Sequence, residues 1–156
     1  MSNSQRSAQP AAERRSAEAE VQTLIAKFAP AHLRLKGAGR RLLRQRLPTT
    51  HELVYEYRDW FVISYSPNEH GYLGVLAIRA SADGVKLYFN SGKELPDPLK
   101  LLQGSGKQVR WMHLESASAL AHPEVVSLID EAIALNRVPF ASAGRGPVVI
   151  RSASAK

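Results

Sequence analysis

The sequence predicts an α+β fold: an antiparallel meander of about four to five strands, with N-terminal helices and a C-terminal helix packed on it. Three observations predict it. Val21, Leu24, Ile25 and Phe28 stand at i, i+3, i+4 and i+7, one face of a helix. Between Trp60 and Glu115, short apolar or alternating runs are separated by turn signals. Behind Pro123, the residues Val125, Leu128, Ile129, Ala132 and Ile133 restore the helical period. Strands joined by turns too short for a crossover are antiparallel, and such a sheet buries a face under helices.

The chain divides into a polar N-terminal tail (1–14), one α+β domain (15–140) and a C-terminal segment (141–156). That last segment reads either as a flexible basic tail or, through Pro147-Val148-Val149-Ile150, as an edge strand. The first helix is rich in Ala, Glu and Arg and closes at Pro30. A second spans about Ala31 to Leu47, with Leu35, Ala38 and Leu42 on one side and Lys36, Arg40 and Arg44 recurring on another. Gly37 and Gly39 weaken it by roughly 1 kcal/mol each relative to Ala. After Pro48, Thr49-Thr50-His51-Glu52 has the form of a capping box. It predicts a short helix that sets Glu52, Glu56 and Asp59 along one edge. Strands follow over Trp60–Ser66, Tyr72–Arg79, Val85–Asn90 and Gln108–Glu115, with a hairpin at Ser81-Ala82-Asp83-Gly84. Pro123 opens the last helix in the first-turn position, where its missing N–H is harmless.

Composition excludes several chemistries. The chain has no cysteine, hence no disulfide scaffold, thiol nucleophile or cysteine-ligated metal. No run has the length of a membrane span and none resembles a secretion signal, so the expected location is cytoplasmic, away from membranes. The net charge of +7 is uneven: Arg34, Lys36, Arg40, Arg41, Arg44 and Arg46 fall in a stretch with no acid, whereas residues 52–136 are mildly acidic.

No catalytic motif stands out. The sequence Gly104-Ser105-Gly106-Lys107 offers amides and an ammonium to an anion, but it is not a P-loop, since a strand follows it instead of a helix. Together with Lys93, Asp97 and Arg110 it forms the expected ligand-binding loop, for an anionic small molecule or an acidic protein surface. The simpler role of Asp97 is to cap the turn at Leu99–Leu102. Lys36, Arg40, Arg41 and Arg44 are the candidate contacts to nucleic acid, through phosphates, with a solvated helix face as the plainer alternative. His51, His70 and His113 are the nearest approach to metal-ligating histidines, and a hydrogen-bonded structural histidine is the plainer reading.

Phe89, Gly92, Leu95, Asp97-Pro98, Leu101-Leu102, Gly104, Gly106-Lys107 and Arg110 follow one another in this order, ahead of the helix at Pro123. On these residues the segment from about Val21 to Leu135 resembles the YdhG-like family of small bacterial domains. It implies an α+β fold with an antiparallel sheet. Because one member is regarded as a frataxin-like iron chaperone, it also implies an iron-delivering acidic surface, for which Glu52, Glu56 and Asp59 are the available carboxylates. Iron is the only cofactor the reading admits, and it enters through the resemblance alone. The expected function is a non-enzymatic binding module, with iron delivery and nucleic-acid binding as alternatives.

Overall fold

A computed structural model describes residues 9–28 and 33–152. Three α-helices, α1 (Ala11–Lys27), α2 (Leu33–Arg46) and α3 (Pro123–Leu135), pack on a six-stranded sheet. The strands are β1 (His51–Glu56), β2 (Trp60–Ser66), β3 (Leu76–Ser81), β4 (Gly84–Phe89), β5 (Arg110–Leu114) and β6 (Val148–Ser152). Their spatial order is β5-β4-β3-β2-β1-β6. β1 to β5 form an antiparallel meander, and β6 joins the outer edge of β1 in parallel. Among the described residues no helix is long and apolar enough to cross a membrane.

Pairing explains which side chains are buried. Val54, Ile63, Ile78, Leu87 and Met112 are directly opposed in successive strands, so they form one row on one face. A second row runs through Tyr65, Leu76 and Phe89. These residues join Val21, Leu24 and Ile25 of α1, Leu35 and Leu43 of α2, and Val125, Leu128 and Ile129 of α3 in one core. All three helices therefore cover the same face. The Ala82-Asp83 hairpin forms as expected, with Ser81 opposite Gly84 and the Ser81 hydroxyl accepting the Asp83 amide. His122 caps α3 by accepting the Glu124 amide on Nδ1, and Pro123 takes the first turn.

Three expectations are corrected. The short helix at Thr49–Asp59 is instead β1: Glu52 pairs with Tyr65 and Val148, and the capping-box spacing is coincidental because Glu52 has its partners elsewhere. The strand expected from Tyr72 starts only at Leu76. Before it, Gly71–Leu73 makes a 3-10 turn that lies against the Tyr55 hydroxyl, while Gly74 sits on the Ser64 hydroxyl, so this connection folds over the sheet instead of extending it. The strand count is six instead of four to five, because β1 is a strand and the C-terminal segment takes the edge-strand alternative of its two readings, as β6. The close of the first helix at Pro30 and the start of the second at Ala31 lie outside the described residues.

β6 is held at its start by two features. The Gln9 side chain both donates to the Val148 carbonyl and accepts from the Val148 amide. Just before the strand, Gly146 passes so close to Thr50 that a Cβ there would overlap the Thr50 carbonyl. Gly146→Ala should therefore displace the backbone leading into β6 and lower stability by about 1–3 kcal/mol, the usual range for overpacking, in urea unfolding.

Candidate anion site between the first two helices

The cationic stripe of α2 points inward. Lys36 and Arg40 are buried, at 2% and 6% exposure, on the same side as Leu43 and Leu47. The Lys36 ammonium donates to the carbonyls of Ile25, in the last turn of α1, and of Phe28, just after it, where the helix dipole favours a cation. Burial pushes its pKa down to about 8.

Arg40 is bonded on two sides. Its Nη1 and Nη2 donate to the two oxygens of Glu18 on α1, at 2.6 and 2.7 Å. Its Nε and Nη2 donate to the two oxygens of Glu52 on β1, at 2.9 and 3.0 Å. The Tyr65 hydroxyl of β2 donates to Glu52 Oε2 at 2.8 Å, and Arg44 stands 3.5 Å from Oε1. Burial opposes the charge on Arg40, but the four carboxylate oxygens outweigh it and hold its pKa above the ordinary value. The Arg40 hydrogen bonds draw Glu18 down from 4.5 to about 2. Burial, then the charge and hydrogen bond of Glu52, push the Tyr65 phenol up, so it stays a neutral donor.

Above this network a cavity of about 860 Å³ opens between α1, α2 and the segment around Gly144–Arg145. Arg40, Arg41, Arg44 and Arg145 line it, with the amides of Gln22 and Gln45 and the apolar surfaces of Ile25 and Pro48. Arg14 stands close by, donating to the Gly146 carbonyl at 3.1 Å. Burial, then the repulsion of Arg145 and Arg44, lowers its pKa. Glu18 and Glu52 are both engaged by Arg40, so the surrounding arginines carry a surplus of positive charge.

The residues singled out from sequence are distributed differently. Of the nucleic-acid candidates, Lys36 and Arg40 are internal and cannot reach a phosphate backbone; Arg41 and Arg44 face the cavity. The carboxylate ridge is not formed. Glu52 is buried against Arg40, Glu56 on the strand pairs with Lys27 at 3.0 Å, and Asp59 sits exposed in the turn after β1. Among the described residues no three His, Asp or Glu side chains are grouped so as to hold a metal ion. His51 has a buried Nδ1 without a hydrogen-bond partner, His70 stacks on Tyr72, and His113 meets Trp111 edge-on.

The Lys93–Arg110 loop is tied to itself. Asp97 accepts the amides of Leu101 and Leu102, each at 2.8 Å. Arg110 donates to the carbonyls of Gly106 and Val109. Gly104, at φ 118°, lies on the Trp111 indole, a backbone conformation that favours glycine. Lys93 and Lys107 are exposed. A smaller cavity of about 280 Å³ beside the loop is lined by Ser91, Glu94, Gln108, Asn136 and Arg137 among others, and by none of the six predicted ligand residues.

Two predictions follow from the buried network. Arg40→Met alone strands the Glu52 carboxylate inside and should cost about 3–5 kcal/mol in denaturant unfolding; adding Glu52→Met should recover much of that loss. Glu18 has its pKa depressed from 4.5 to about 2. Its contribution is therefore present above pH 4.5 and lost as pH falls towards 2. Glu18→Gln should flatten the stability profile across that window.

Comparison with protein-family models, with curated proteins and with solved structures finds no match for this chain.

Proposed function

We propose that this protein is a non-enzymatic binding module, a YdhG-like domain that holds an anionic small molecule in the arginine-lined cavity between α1 and α2. The observation that carries this reading is the surplus charge: Arg40, Arg41, Arg44 and Arg145 border the cavity with Arg14 beside them, against two carboxylates, Glu18 and Glu52, that are bonded by Arg40, Glu52 lying also 3.5 Å from Arg44. Clustered guanidinium groups repel one another, and an anion relieves that repulsion while accepting paired N–H bonds. The volume of about 860 Å³ suits a small ligand rather than a single ion. Ile25 and Pro48 offer apolar contact to its organic part, and Gln22 and Gln45 offer hydrogen bonds. The residues quoted for the family resemblance lie in the β4–β5 region, where they shape a loop, so the ligand reading rests on the cavity and not on them.

Calorimetric titration at low salt with pyrophosphate and, separately, citrate tests the proposal. Arg41 and Arg145 are exposed and outside the buried network, so Arg41→Ala with Arg145→Ala should leave the unfolding midpoint unchanged. The same pair should weaken binding at least about tenfold, two charge-assisted hydrogen bonds being lost. Absence of heat with both probes, or equal affinity in the double variant, rejects it.

A further inference from the structure

Among the described residues the three helices lie on one face of the sheet and none covers the other. Along it, successive partners across all six strands are His113, Lys86, Arg79, Val62, Tyr55 and Arg151. The neighbouring outward positions carry Trp60, Tyr88 and Trp111. No outward position of any strand holds a carboxylate. Among the described residues Arg79, Lys86 and Arg151 make no ion pair, and each is steadied on an aromatic ring. The Arg79 guanidinium lies 4.4 Å from the Trp60 ring centre and donates to the Tyr88 hydroxyl at 3.2 Å. The Lys86 ammonium lies 4.4 Å from the Trp111 ring centre, and Arg151 donates to the Tyr55 hydroxyl. Among the described residues the connection between β2 and β3 reaches over this face at Tyr55 and Ser64, and the Gln103–Gly104 segment lies along the indole edge of Trp111.

We propose that this uncovered face binds single-stranded nucleic acid, with Arg79, Lys86 and Arg151 on phosphates and the bases against Trp60, Tyr88 and Trp111. Polyanion binding needs fixed cations with little competition from acids; Arg79 and Lys86 have no acid across the strands from them, and Arg151 has Glu69 nearby, whose carbonyl it bonds. Unpaired bases stack on aromatic rings and on guanidinium planes alike, so a cation already lying on a ring extends the platform. The part clear of the β2–β3 connection, from β5 to β2, is four strands at about 4.8 Å spacing, a track of roughly 14 Å with Arg151 beyond the connection, long enough for a few nucleotides. A second copy of the chain fits less well: a two-fold contact through this face would set the cationic row against its own copy. This surface lies on the opposite side of the sheet from the arginine cavity, so the two proposals stand or fall separately.

Trp60 and Trp111 are the only tryptophans in the chain. Intrinsic fluorescence therefore reports on this face alone. The full chain is titrated with a labelled oligo(dT) of about 12 nucleotides, following label anisotropy and tryptophan emission across a salt series. Binding with tryptophan quenching and steep salt dependence is expected. Arg79→Ala with Lys86→Ala should weaken it at least about tenfold and lower the salt slope by about 1.4, two phosphates at roughly 0.7 each, with an unchanged circular dichroism spectrum. No binding at low salt overturns the proposal. So does binding that leaves both tryptophans undisturbed and is lost in Arg41→Ala with Arg145→Ala, which assigns it to the cavity. Equal affinity for a duplex, or a dimer in sedimentation that only the Arg79, Lys86 double variant dissolves, overturns it as well.

Discussion

The guanidinium of Arg40, held between Glu18 and Glu52, joins three elements that meet nowhere else through so many polar bonds. α1, α2 and β1 are positioned relative to one another by its planar fork, which offers two edges to two carboxylates. Apolar packing alone would allow α1 to slide or rotate on the sheet, because hydrophobic contact is non-directional. Lys36 restricts the same helix pair at the other end, by satisfying the last carbonyls of α1. A buried pair of this kind contributes little net stability against a well-packed apolar replacement, but it penalises any arrangement that separates its members.

That constraint also explains why the arginines around it behave as a site. Glu18 and Glu52 are the two acids within reach, and Arg40 uses both oxygens of each. Arg14, Arg41 and Arg145 make no ion pair among the described residues, while Arg44 stands 3.5 Å from Glu52; burial first, then the repulsion of Arg145 and Arg44, lowers the pKa of Arg14. Three groups stand out among the cations: an internal pair that fixes geometry, a ring around a cavity, and a row laid on aromatic rings on the far side of the sheet.

Much of the architecture was legible in sequence because the signals were local. β2 and β4 alternate cleanly, the Asp83-Gly84 hairpin needs only its own residues, and Pro123 marks the start of α3. β1 was misread because its inward positions are Glu52, Val54 and Glu56, so the period-two apolar pattern is broken at the place where Glu52 meets Arg40. β6 is short, and its partner β1 lies almost a hundred positions earlier. The four-residue spacing of Lys36, Arg40 and Arg44 was visible, but direction was not: carbonyls of α1 and carboxylates of α1 and β1 turn the stripe inward, and none of these lies on α2 itself. The cavity escaped notice for the same reason, since its wall is assembled from residues as distant as Gln22 and Arg145. The Lys93–Arg110 loop, conspicuous in sequence, spends its polar groups on its own backbone.

The parallel attachment of β6 moves the sheet's outer edge from β1 to a five-residue strand that carries Arg151 and is already bonded at Val148 by Gln9. β1 is rich in residues suited to strands, Leu53-Val54-Tyr55, and without β6 its outer edge would present a row of unpaired amides and carbonyls. Such an edge is a template for any extended chain that meets it. The covering strand arrives from the far end of the sequence and is anchored at its start by Gln9. During synthesis, the meander and its edge are therefore complete well before their cover, and that interval is when the chain is most open to pairing with its neighbours.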